Sequence, residues 1–210
     1  MVKKSKTAAE QEPMKLFYIF YNQERWDNWL TRLRESNFDV VEGSDDMPEG
    51  FQALYNFGQD ITLSVLKIIR LYQNKRFSKE ETIEKLDQVE KIIMSEAPDD
   101  GIEEVVESLQ LSMLVLFASC RKFIEGEYRT DIKVLVKEGR KQIDEDMEKA
   151  LGIAAEIGAN VINGVSCCGK YVKDDIDQPT LFDEWLIEAE TMNEAIGSLK
   201  NFDEEAGEAV

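Results

Sequence analysis

The chain has 210 residues, 43% apolar and 32% charged, which is enough for one folded domain with a sizeable hydrophobic core. Its formal net charge of −18 repels nucleic-acid phosphate and anionic lipid headgroups, so neither is an expected partner. It contains no histidine, which excludes the usual Ser-His and Cys-His triads, two-His zinc sites, His-ligated haem and the Glu-x-x-His di-iron arrangement.

Residues 1–13 are polar and read as a loose tail. Lys3, Lys4 and Lys6 are not followed directly by an apolar segment, as a signal peptide requires. The longest apolar run, Met113 to Ala118, is far short of a membrane span. Three cysteines are an odd number and too few for a disulfide framework. A cytoplasmic, reducing location is expected.

The aromatic run from Leu16 to Tyr21 leads into a first helix with Asn22 as N-cap, and Tyr21 and Trp26 stand at the positions of a hydrophobic staple. Trp26, Trp29, Leu30 and Leu33 then recur at helical spacing, and Phe38 closes the segment before an acidic linker around Gly43 to Gly50. The second helix, from about Phe51 to Gln73, is apolar on more than one face in its far half, which predicts a central position. Ser78 and Glu81 form a capping box for a third, peripheral helix, with Ile83, Leu86, Val89 and Ile93 in a narrow stripe edged by Glu90. Asp100 and Glu103 read as a similar cap for the fourth. Leu109 to Cys120 makes that helix the second central one, and Gly126 stops it.

A long fifth helix is predicted from Thr130 or Asp131, through Ile132, Val136, Gly139, Ile143, Met147, Ala150, Ala154, Ile157 and Val161, to Asn163-Gly164. Gly139, Gly152 and Gly158 each weaken it by roughly 1 kcal/mol, which predicts close contact with a neighbouring helix. The last helix opens at Pro179 or Thr180 and carries a heptad seam of Phe182, Trp185, Ala189, Met192, Ile196 and Leu199. The expectation is an all-α, single-domain bundle of about six helices with two central apolar ones. It spans 14–202, between the first tail and an acidic, disordered tail at 203–210.

Phe20 to Leu30, with its Tyr21-Asn22-Gln23-Glu24-Arg25-Trp26-Asp27-Asn28-Trp29 core, is followed by Arg34-Glu35-Ser36-Asn37-Phe38. Together they resemble the N-terminal signature of an archaeal family of small acidic helical proteins known only as a domain of unknown function. Leu109 to Ser112, Ala150 to Gly152, Ala159 to Gly164 and Leu181 to Trp185 fit the same resemblance. The resemblance implies an archaeal, cytoplasmic, all-helical protein and carries no activity, substrate or cofactor with it.

Candidate sites follow from side-chain chemistry. Cys167 and Cys168 offer soft thiolates for a metal or for redox exchange, but adjacent cysteines lack the two-residue spacer that lets both grip one ion. Incidental thiols, with Cys120 buried and structural, are the preferred reading. The acidic groups at Glu80, Glu81 and Glu84, at Glu103, Glu104 and Glu107, and at Asp144, Glu145, Asp146 and Glu148 read as solvated faces and first turns. Asp174, Asp175 and Asp177 lack the glycine and terminal glutamate of a calcium loop. No phosphate-binding glycine motif occurs. No catalytic residue, metal ligand or cofactor site is therefore assigned. Acidity spread along every polar face is explained first by solubility and only second by a basic partner.

The preferred function is a non-enzymatic helical interaction module, an adaptor or regulator that meets a protein partner or itself. Its candidate faces are Trp26 and Trp29 on the first helix and Trp185, Met192 and Ile196 on the last. The alternatives are a metal- or redox-responsive protein using Cys167 and Cys168, and an acidic nucleic-acid mimic binding a basic partner.

Overall fold

A computed structural model describes residues 20–40, 46–99, 101–166, 169–171 and 179–207. Among the described residues there are seven helices and no strand. They are α1 (Gln23–Glu35), α2 (Glu49–Gln73), α3 (Lys79–Ile93), α4 (Glu103–Glu125), α5 (Ile132–Gln142), α6 (Met147–Ile162) and α7 (Leu181–Gly207).

Local chemistry sets most of the boundaries. Asn22 Oδ1 accepts the backbone N–H of Arg25 at 2.9 Å and opens α1. Ser78 and Glu81 form the reciprocal capping box of α3. Gly126, at φ 84°, takes the left-handed turn that ends α4, where a Cβ would be strained. The start of α4 departs from expectation: its N-cap is Ile102, with no side-chain cap, and Asp100 lies outside the described residues.

The predicted fifth helix is two helices. After Gln142 the chain turns, with Asp146 N–H donating to Gln142 O, and Asp146 then caps α6 by accepting the Lys149 N–H at 3.0 Å. The acidic run Asp144-Glu145-Asp146 is thus the corner of a helical hairpin, because short acidic side chains favour N-caps over helix interiors. α5 packs back on α6. The last helix also runs to Gly207, into the 203–210 stretch expected to be an acidic tail.

The most extensive helix pair is α4 with α6, so the second central helix is joined by α6, whose residues from Ala154 to Ile162 are buried except Glu156. Small residues permit this approach. A Cβ at Gly158 would lie 1.9 Å from Ser119 Oγ, and one at Gly139 would lie 1.9 Å from the Phe182 ring. Gly152 differs, with open space where its Cβ would be. α2 and α7 both lie against α4 and against each other, which brings their N-terminal halves together with that of α4. α1 is fastened to the outside of α2: Arg25 pairs with Asp60, Trp29 Nε1 donates to Asp60 at 2.8 Å, and the Trp29 ring stacks on Phe57.

Candidate functional site

The N-terminal halves of α2, α4 and α7 do not close on one another. They leave an open groove with a volume of about 290 Å³. Its walls are apolar: Phe51, Leu54 and Tyr55 from α2, Leu109 and Met113 from α4, and Ile187 from α7. Phe51, Tyr55 and Ile187 are 43%, 54% and 47% exposed, an unusual state for three large apolar side chains on one concavity. Gly58 lines the α2 wall opposite Leu109 and Met113. The polar lining is Gln59, Ser108, Ser112, Thr191 and two carboxylates, Glu184 and Glu188.

Glu188 is the chemically distinctive member. It is buried, and its Oε1 accepts the Thr62 hydroxyl at 2.8 Å. Its other oxygen has no hydrogen-bond partner among the described residues. Burial drives its carboxyl from the ordinary 4.5 up to about 8, and the Thr62 hydrogen bond only partly counters that rise. At neutral pH the groove by itself therefore presents a protonated acid. Glu188 is the kind of group that changes state when a charged ligand arrives.

The residues singled out from sequence are used elsewhere. Trp26 (2% exposed), Trp185 and Met192 (both 0%) are inside the bundle and present no free face. Trp26 packs on Phe57, and Trp185 Nε1 donates to Leu111 O at 2.9 Å, so the seam of α7 is consumed within the chain. Trp29 and Ile196 are half-buried against the same core. Cys167, Cys168, Asp174, Asp175 and Asp177 lie outside the described residues. Cys120 is fully buried, and desolvation raises its thiol far above the usual range, so it is no thiolate at neutral pH.

The profile of a family described as an uncharacterized protein conserved in archaea (DUF2150) matches residues 19–205. The chain belongs to this family. Among curated proteins and among solved structures nothing matches it significantly. The DUF2150 segment contains the whole groove, since α2, α4 and the first turns of α7 all fall inside it. No helix among the described residues is long and apolar enough to cross a membrane.

One signal for the groove was present in the DUF2150 sequence itself. Glu188 stands three residues after Trp185 and four before Met192, so helical geometry puts it on the buried face. Thr62 interrupts an apolar run of α2 in the same way. A carboxyl and a hydroxyl in two core stripes have to find each other or a ligand.

Proposed function

We propose that this DUF2150 protein is a non-enzymatic interaction module that holds a helical segment of a partner protein in the groove between α2, α4 and α7. The observation that carries the reading is the convergence of exposed Phe51, Tyr55 and Ile187 on one open, apolar concavity. A docking helix buries such a surface with a few side chains spaced along one face. The partner's chemistry follows from charge. Glu184, the ionisable Glu188 and no lysine or arginine line the groove, and the chain carries −18, so a basic helix is drawn in and a second acidic copy is repelled. Adaptor or regulatory roles suit a fold whose sequence holds no histidine for acid–base chemistry near neutrality.

The test compares wild type with Ile187→Lys, an exposed position where the change leaves the core intact and sets a cation against a basic partner. Both are used as bait in host lysate, followed by hydrogen-exchange mapping with the protein recovered. The expected result is a partner that Ile187→Lys loses and whose basic helical segment protects α2, α4 and α7 around the groove. Identical recovery by both baits overturns the proposal, as does protection confined to another face. Recovery of further copies of this chain alone would replace the partner with self-association.

A further inference from the structure

We infer that the anchor this groove accepts is a lysine-like side chain, an apolar stem ending in a cation, with Glu188 as its counter-charge at the inner end. The inference rests on the docking reading above and names the chemistry that reading leaves open.

Three observations lead to it. The walls formed by Leu54, Leu109 and Met113 suit a methylene stem rather than a polar chain. The rings of Phe51 and Tyr55 line the same groove, and aromatic faces favour an approaching cation. Glu188 lines it too, buried, with one oxygen held by Thr62 and the other without a partner among the described residues. An anionic ligand would meet that acid and Glu184 together, so a cation is the ligand whose charge complements the lining.

Binding a cation must then displace a proton. With its carboxyl at about 8, Glu188 is mostly neutral at pH 7, and an ammonium beside its free oxygen favours the ionised form. The other titratable groups lining the groove are Glu184 on α7 and Tyr55 on α2, and α4 contributes none. About one Glu188 in ten is ionised at pH 7 and about nine in ten at pH 9, so apparent affinity for a cation rises about tenfold across that interval. A neutral ligand of the same shape gains nothing from the change.

The experiment titrates the full-length, isotope-labelled protein with n-hexylammonium chloride and, separately, with n-hexanol, at pH 7 and pH 9. Backbone amide shifts locate and quantify binding. Hexylammonium should shift amides of α2, α4 and α7 around the groove, bind about tenfold more tightly at pH 9, and lose at least tenfold in affinity in Glu188→Gln. Hexanol should bind independently of pH and survive the substitution. If hexanol binds the groove as well as hexylammonium does, or Glu188→Gln leaves hexylammonium unaffected, the cationic anchor is wrong while the docking groove stands. If neither probe reaches the groove, the anchor is again wrong, and the Ile187→Lys capture experiment decides the docking reading separately.

Discussion

Asp183 and Glu188 lie on the same helix, each 7% exposed, and titrate in opposite directions. Burial pushes both upward. At Asp183 that push is outweighed by the Thr180 hydroxyl and backbone N–H and then by Arg140, whose Nε and Nη2 reach Oδ1 at 3.0 and 2.8 Å. Its carboxyl is held below the usual range and stays charged. Glu188 has only the Thr62 hydroxyl, so burial wins. Similar exposure thus gives a finished structural joint at one position and an incomplete site at the other, because the Glu188 carboxyl lies deeper and has one donor where Asp183 has several. Asp183 already has its cation. Glu188 faces a groove that has none among its lining residues.

The largest expected effect comes from making the two sites alike by removing that cation. Arg140→Met leaves Asp183 buried with only Thr180, and it also removes the 2.6 Å hydrogen bond from Arg140 to Tyr171 O. Arg140 is partly solvent-exposed, so the cost is placed at about 2–4 kcal/mol, below that of a fully buried pair. Urea denaturation at pH 7 measures it, and a loss under about 1 kcal/mol would show that Asp183 needs no cation.

Glu188→Gln works from the other side of the comparison. A carboxyl raised in the folded state holds its proton more tightly there than in the unfolded chain. Stability contributed by that proton is complete below about 4.5, declines as pH rises, and is gone above about 8. Glutamine has the same shape, accepts the Thr62 hydroxyl and never ionises. The variant should match wild type near pH 4 and exceed it by roughly 4 kcal/mol at pH 8–9. Asp183, with its carboxyl lowered, contributes with the opposite sign: its stabilisation is present at neutral pH and is lost only in acid. A pH-independent difference between Glu188→Gln and wild type would refute the assignment of a neutral acid to the groove.

The two carboxyls also mark how far sequence carries. Asn22, the Ser78–Glu81 box and Gly126 were legible because a cap involves neighbours a few residues apart. The break between α5 and α6 was not. The apolar step from Gly139 through Ile143 and Met147 to Ala150 keeps its spacing across the turn, so periodicity ran on where Asp146 starts a new helix. The α7 seam was legible as apolar, but its use was not, because Trp185 is satisfied by a carbonyl 74 positions away. The groove depends on three helices failing to close, which no single segment records. Glu188 in the seam was the available sign, and it stood among acidic residues whose surroundings only the fold distinguishes.

The smallest expected effect tests the one bond that Glu188 does have. Thr62→Val is nearly isosteric and removes the hydroxyl that donates to Oε1, so it should cost about 1 kcal/mol near pH 6, where the acid is neutral. That loss alone would describe any buried hydrogen bond. The discriminating readout is the pH profile. Because the hydroxyl opposes the effect of burial, its removal raises the carboxyl further, and the pH range over which stability declines must extend upward. In the Thr62→Val, Glu188→Gln double variant the part of the decline that belongs to Glu188 should be absent, since no titrating group is left at this position, and the two effects should not add. A decline that stays where wild type has it would mean that Thr62 packs against Glu188 without influencing its proton. The contrast with Asp183 would then rest on Thr180 and Arg140 at that site and owe nothing to Thr62.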